Sequence, residues 1–190
     1  MAQKLLQLRQ YNEYDVLNVY ALSGYTADTS TIVYRGLPVA VAGNGWQNSA
    51  VGPVEMLGNP SAFSPSNVVS QRYGVYPKMV PAAVGASIIG ITLFDIRETD
   101  ENGELLKFRP RKAAELEACI SGQAVPVVTK GIFAISGLQT GNGLTGVVTA
   151  GSALYVGVSG FTTQATGSKV GVALGTTDAN GGTIIQFQAV

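Results

Sequence analysis

Apolar and polar residues alternate over short stretches of this chain, which predicts a protein built mainly of short β-strands. In the last stretch, 183–189, Ile185 and Phe187 alternate with Gln186 and Gln188. A period of two is typical of a strand that buries one face and exposes the other. Glycine-rich turns separate this stretch from earlier ones, and together they predict a β-meander. Its strands are expected at 124–136, 144–148, 153–158, 169–174 and 183–189.

The first half of the chain carries a similar pattern with more interruptions. Strands are expected at 31–42, 68–76 and 86–94, where β-branched and aromatic residues are frequent. Asn102-Gly103 is a turn signal, and it predicts a hairpin whose returning strand is 105–108.

One short helix is predicted at 109–117, because Pro110 fits a first helical turn and the residues after it favour helix. Alternation resumes at Leu116, so a strand is expected to follow. The chain therefore predicts an all-β fold with a small β-barrel or sandwich on each side of this linker. The predicted divisions are an N-terminal arm at 1–30, a β domain at 31–108, a linker at 109–120 and a C-terminal β domain at 121–190.

The predicted arm allows two interpretations. It is either a first strand that docks on its own domain, or an extension that contacts a neighbouring subunit, because termini stay mobile unless something holds them. Aromatic residues are enriched in contact surfaces. The candidate subunit or capsid contacts are Leu5, Leu6, Leu8, Tyr11 and Tyr14.

Charged residues are scarce, which indicates a domain that other chains cover and not a free-standing one. Hydrophobic residues make up 46% of the sequence and charged residues 13%, against about 25% in typical soluble domains. From residue 131 onward the charged residues are Lys169 and Asp178. A surface so poor in charge is expected to lie in a core or against other chains.

The charge balance and the missing residue types exclude several function classes. Twelve basic and twelve acidic residues cancel, so no general attraction to nucleic acid or an anionic membrane is expected. The absence of histidine removes His-dependent triads and the usual zinc sites. Cys119 is expected to be a buried apolar residue of a protein made in a reducing cytoplasm. Neither a secretory signal nor a membrane-spanning run is apparent.

Three local motifs imitate known sites without their context. The stretch 141–146 matches a dinucleotide-binding pattern by letter, but a strand-like segment follows it, so a hairpin turn is expected. Glu98 and Asp100 imitate half of a calcium loop, with a solvated acidic turn as the preferred interpretation. Arg109, Arg111 and Lys112 imitate a phosphate clasp, with ion pairs to the nearby acids of 95–104 as the preferred interpretation. No catalytic, cofactor-binding or metal-binding residue is predicted.

Several segments resemble the capsid cement or head decoration proteins of tailed bacteriophages. These are 122–133 (GQAVPVVTKGIF), 151–156 (GSALYV) and 170–175 (VGVALG), in that order before a closing strand. In the front half, 10–15 (QYNEYD) and 109–115 (RPRKAAE) resemble virion structural proteins of cyanophages and related marine phages.

The cement-type resemblance covers about residues 110–190 and implies a function without chemistry. It implies a virion structural protein on the outer capsid surface that bridges major capsid protein subunits and stabilises the head. It further implies a homo-oligomer, with a trimer favoured over a dimer, and neither nucleic acid nor membrane as partner.

Two other functions stay open at this point. A tail-associated receptor- or carbohydrate-binding module would need an aromatic platform, for which Tyr25, Tyr34, Trp46, Tyr73 and Tyr76 are the candidates. A glycan hydrolase would need two carboxylates held apart by a framework. The acids available for it are Asp95, Glu98, Asp100, Glu101 and Glu104.

Overall fold

A computed structural model describes residues 3–18, 21–22, 32–41, 78–120, 123–141 and 143–189. Over these ranges the protein is mainly β with one α-helix, which confirms the predicted fold class. The strands are β1 (Lys4–Gln10), β2 (Val16–Leu17), β3 (Ala21–Leu22), β4 (Pro38–Val41), β5 (Lys78–Pro81), β6 (Gly90–Thr92), β7 (Asp95–Ile96), β8 (Ala118–Cys119), β9 (Val127–Val128), β10 (Lys130–Ser136), β11 (Gln139–Gly141), β12 (Leu144–Thr145), β13 (Ala153–Gly157), β14 (Gly160–Thr162), β15 (Gly171–Ala173) and β16 (Gly182–Gln188).

The helix α1 spans Pro110–Glu115 and begins at the predicted proline. Two 3-10 turns, at Glu13–Asp15 and Leu106–Phe108, complete the helical elements of the described residues. None of these helices is long and apolar enough to cross a membrane.

The largest sheet is a curled half-barrel with strand order β1-β10-β16-β15-β13-β14-β11-β12. Its pairs are antiparallel except β11 with β14, which is parallel. The last strand of the chain therefore lies between β10 and β15, and the predicted meander is wrong in its order. Alternation identified β16 as a strand but carried no information about its neighbours. Strands β11 and β14 lie outside the predicted strands, because glycines at both of them weaken the strand pattern.

A second sheet has the order β2-β9-β6-β4-β5-β3, and β7 pairs with β8 in a small third one. Strands on either side of the predicted domain boundaries at 30/31 and 120/121 pair with each other. Strand β1 pairs with β10 of the same chain, and β9 pairs with both β2 and β6. Lys4–Gln10 therefore docks on the chain's own sheet, which is the first of the two interpretations of the N-terminal residues.

The main core lies against the inner face of the half-barrel and is shared by both larger sheets. Phe133, Phe161 and Phe187 are fully buried there, and Ile91 and Val128 of the second sheet belong to the same cluster. The rings of Phe161 and Phe187 are 5.6 Å apart in a tilted arrangement. This shared core fixes the orientation of β10 and β16, which carry the surfaces described below.

Two predicted strands are wrong for identifiable reasons. In the stretch 105–108 only Leu105 forms a bridge, with Thr99, and the chain then enters the 3-10 turn because Leu106 packs into a small cluster with Ala118 and Ile120. In the stretch 144–148, β12 ends at Thr145. The predicted strand 68–76 lies outside the described residues.

Candidate functional site

The outward face of the half-barrel is the main candidate for a contact surface. Along β10 and β16 the side chains alternate, with Ile135, Ile185 and Phe187 buried and Ile184 exposed. Ala134 is opposite Ile184 in the strand register, so both point outward. We call the outer face the set Leu6, Leu8, Ala134, Val172, Leu174 and Ile184.

A hydrogen bond and a close contact connect Leu6, Leu174 and Ile184 of the outer face. The N–H of Leu174 donates to the carbonyl of Ile184 over 2.8 Å, which places these two residues side by side. A Cβ added at Gly182 would lie 3.2 Å from Cδ1 of Leu6, so this leucine covers the start of β16. The four large exposed members are 38% (Leu6), 49% (Leu8), 46% (Leu174) and 41% (Ile184) accessible. No member of the outer face is charged, but the carboxylate of Asp178 lies at its edge, 3.1 Å from the same added Cβ at Gly182.

The structure places the five predicted contact residues in three locations. Leu5 is only 3% exposed and belongs to the chain's own core, so we remove it from the candidate contact surface. Leu5 and Arg9 are opposite Ile135 and Phe133, the inward positions of β10, and an irregularity in register separates them. Leu6 and Leu8 lie within this irregularity and are exposed, and we group both with the outer face because Leu6 covers the start of β16.

Tyr11 and Tyr14 lie instead in an open groove of about 820 Å³ at the other end of β10 and β16. We call it the tyrosine groove. It is lined by residues 10–15, by the start of β10 and by the end of β16, including Gln186 and Gln188. Tyr14 is 95% exposed, the highest value among the large hydrophobic side chains of the described residues.

The acidic turn is not the solvated feature that the sequence predicted. Asp100 is 4% exposed, and its carboxylate accepts hydrogen bonds from Nζ of Lys112 and from the backbone N–H of Asn102 and Glu104, the last two at 2.8 Å. The hydrogen bond from Lys112 holds the pKa of Asp100 below its usual range, and the same bond raises the pKa of Lys112. The acidic turn is thus held to α1 by the ion pair between Asp100 and Lys112.

The predicted ion pairs are confirmed for two of the three basic residues: Lys112 pairs with Asp100, and Arg109 pairs with Glu104 at 3.5 Å. Arg111 pairs instead with Glu115 of its own helix, at 3.2 Å. The described residues contain no group of three or more His, Cys, Asp or Glu side chains placed to hold a metal ion. The carboxylate of Asp100 is already occupied by three donors, which leaves little capacity for a cation there.

A second ionic junction was not predicted. Glu117 receives both terminal nitrogens of Arg9, at 3.1 and 2.8 Å, and a further hydrogen bond from Nη1 of Arg35. Its backbone has φ of 50°, and it is the only non-glycine residue with positive φ in the described ranges. The junction ties β1 to the end of α1. No sequence pattern indicated this junction, because Arg9, Arg35 and Glu117 are far apart in the chain.

The remaining candidates from the sequence are a glycine-rich stretch, a cysteine and an aromatic set. Strands β11 and β12 pair antiparallel around the stretch 141–146, which confirms the predicted hairpin. Burial raises the pKa of Cys119 to about 12, as expected for an inert apolar thiol. Of the predicted aromatic platform only Tyr34 lies in the described residues, and Nζ of Lys4 lies 3.7 Å from its ring centre.

Comparison with family models, curated proteins and solved structures found no match to this chain. The resemblance to phage cement proteins therefore stays a prediction.

Sequence reasoning missed Leu174, Ile184, Gln186 and Gln188 as surface candidates. A signal was present for three of them, because the alternation in 183–189 that assigns Ile185 and Phe187 to the inside also assigns Ile184, Gln186 and Gln188 to the outside.

Proposed function

We propose that this protein is a non-enzymatic virion structural protein of a tailed bacteriophage that binds the outer surface of the capsid. In this proposal it bridges major capsid protein subunits, stabilises the head, and acts as a homo-oligomer with a trimer favoured over a dimer. The observation that carries the proposal is the uncharged, apolar outer face of the half-barrel. The segment resemblances support the major capsid protein as the proposed partner.

The energetics of the outer face suit repeated contacts on a lattice. Covering the exposed part of each large aliphatic side chain contributes roughly 0.5–1 kcal/mol, so one copy gains only a few kcal/mol from Leu6, Leu8, Leu174 and Ile184. Oligomerisation makes the later contacts intramolecular and multiplies the effect of a weak individual contact. Each copy that binds the closed shell but not the separated capsid subunits stabilises the shell by mass action.

The rigidity of the outer face also supports a binding role. Its strands are held by the fully buried Phe133, Ile135, Ile185 and Phe187 on the opposite side, so little conformational entropy is lost when a partner covers the face. A face that is ordered before binding retains more of its gross interaction energy as affinity.

Co-sedimentation with undecorated heads tests the proposal. The wild-type protein should sediment with the heads, and heads that carry it should resist osmotic and thermal shock better. The double variant Leu8→Asp/Ile184→Asp should remain folded and stay in the supernatant, because two charges would have to be buried in the contact. Val158→Asp, at a residue 66% exposed in the turn between β13 and β14, is the matched control and should still sediment. Sedimentation of the double variant at the wild-type level would contradict the proposal.

A further inference from the structure

We propose that the tyrosine groove is a binding site for a neutral saccharide. The inference goes beyond the proposed function, because the groove lies toward the start of β10 and the end of β16, where Gln186 adjoins Val172 of the outer face, and its occupation does not depend on a phage shell. It rests on two tyrosine rings, on a set of planar amides and on the charge of the groove.

The first observation is an almost fully exposed aromatic ring on an anchored turn. Tyr14 lies in the 3-10 turn Glu13–Asp15, and its N–H donates to Oδ1 of Asn12 over 3.1 Å. The carbonyl of Asp15 accepts from both N–H and Oγ1 of Thr129, at 2.9 and 3.1 Å. The turn is therefore fixed to the sheet, while the ring that it carries is 95% exposed and contributes nothing to the core.

The second ring of the groove is held in place by the core. Tyr11 stacks on Phe133 with ring centres 6.0 Å apart and an angle of 24° between planes. Phe133 is fully buried, so the orientation of Tyr11 is set from below while 40% of its surface stays accessible. The negative face of an aromatic ring attracts the partly positive C–H groups of a pyranose, and two tyrosines in one groove suit two or more sugar units.

The third observation is the number of unused amide groups around the rings. The side chains of Gln10, Gln186 and Gln188 are exposed and make no hydrogen bond to the described part of the chain. Gln186 is opposite Ile132 and Gln188 opposite Lys130 in the strand register, so both point to the outward side of the sheet, and both line the groove. Each amide offers donors and an acceptor together, which matches the paired hydroxyls of a sugar ring.

Charge selects the class of saccharide. The groove contains the carboxylates of Glu13 and Asp15 and the ammonium of Lys130, which pairs with Asp15 at 3.4 Å. Two negative groups against one positive group leave the groove with an excess of negative charge at neutral pH. An acidic sugar or a phosphate backbone would be repelled, whereas a neutral oligosaccharide would not.

Preorganisation decides whether such contacts give measurable affinity. A saccharide gains little from each hydroxyl, because the hydrogen bonds replace those with water. Little conformational entropy is lost on binding to the groove, since its aromatic rings and the strands that carry its amides are ordered beforehand. We expect affinity in the millimolar range or somewhat tighter, typical of a small polar ligand with stacking contacts.

The test is saturation-transfer NMR and titration calorimetry of the full chain. The probes are neutral oligosaccharides of glucose, galactose, mannose and N-acetylglucosamine, with sialyllactose and oligogalacturonate as acidic probes. At least one neutral probe should bind and the acidic probes should not. Tyr14→Ala should lower the affinity about tenfold, which corresponds to about 1.4 kcal/mol.

Two further variants separate ring stacking from general effects on the fold. Tyr14→Phe keeps the ring and should bind within about threefold of wild type, a change of less than 1 kcal/mol. Phe108→Ala removes an aromatic side chain that is 68% exposed elsewhere on the surface and should bind as wild type does. Tyr14→Ala should sediment with heads as before, so the saccharide site and the capsid contact can fail independently.

The proposal is overturned if no neutral probe binds, or if Tyr11→Ala and Tyr14→Ala both bind the neutral probes as tightly as wild type. Equal binding of the acidic probes would contradict the assignment to neutral saccharides.

Discussion

Lys112, on α1, donates its ammonium hydrogen bond to the buried carboxylate of Asp100, twelve residues earlier in the acidic turn. This contact connects the loop after β7 to the helix, and the backbone N–H groups of Asn102 and Glu104 complete the coordination of the carboxylate. A carboxylate with three donors is stabilised in its charged form.

Acid should therefore weaken the fold through Asp100. Its folded-state pKa is lowered, so its contribution to stability is fully present above the unfolded-state pKa of about 3.9 and is lost as the pH falls through the folded value. Asp100→Asn should be less stable than wild type at pH 7, and the gap should narrow below about pH 4. Urea denaturation at a series of pH values measures the stability difference at pH 7 and its change with pH. Glu101→Gln, at an exposed acid of the same turn, is the control and should change little. A gap that stays constant with pH would contradict this role.

The positive φ of Glu117 should be separable from its charge. Replacing glutamate by alanine keeps the Cβ and the left-handed backbone and removes the contacts with Arg9 and Arg35. Replacing it by glycine removes the contacts and also the backbone strain. Glu117→Gly should thus be more stable than Glu117→Ala by about 1 kcal/mol. Chemical denaturation of the two variants decides this, and the reverse order would show that φ carries no strain here.

Gly131 should be required where β10 passes β1. A Cβ at this position would lie 2.7 Å from the carbonyl oxygen of Gln10 and 2.8 Å from Cζ of Phe133. Gly131→Ala should cost at least about 2 kcal/mol in free energy of unfolding, because both neighbours are held in place. Gly143→Ala is the matched control: its φ is also positive, but nothing lies within 4 Å of the added Cβ. It should cost about 1 kcal/mol. Equal losses of stability for the two variants would show that positive φ, and not steric overlap of the added Cβ, determines the effect.

The thiol of Cys119 should be unreactive in the folded protein. Its pKa is raised to about 12, so almost none of it is thiolate at pH 8. Because the thiolate is the nucleophile, reaction with an aromatic disulfide reagent should be slow in buffer and rapid in denaturant. Rapid modification of the native protein would contradict the buried position.

Substitutions on the outer face should leave folding intact. Leu8→Asp and Ile184→Asp replace side chains that are 49% and 41% exposed, so each should lower the free energy of unfolding by about 1–2 kcal/mol, which includes the low strand propensity of aspartate. Denaturation curves check this independently of any binding assay. A much larger loss would mean that the outer face contributes to the fold itself, and head-binding results with these variants would then lose their meaning.

Local pattern was sufficient for the strands that alternate strictly and for the helix that starts at a proline. The pair Ile185 and Phe187 was assigned to the inside, and α1 begins at Pro110. The same pattern could not show that β16 lies between β10 and β15, because strand order depends on pairing between distant segments.

The candidate sites depend on register and on distant partners, which limits their prediction. Leu5, Leu6 and Leu8 look alike in sequence, and the irregular pairing of β1 with β10 decides that only Leu5 is buried. Asp100 could not be distinguished from its acidic neighbours without knowing the position of Lys112. Tyr14 was singled out as a contact residue, but its place beside Gln186 and Gln188 follows from the tertiary fold.

A density map of the assembled phage particle tests the central claim most directly. The account predicts this chain on the outer surface of the head, with Leu6, Leu8, Leu174 and Ile184 against major capsid protein subunits. A chain located on the tail, or one on the shell whose outer face points to solvent, would contradict it.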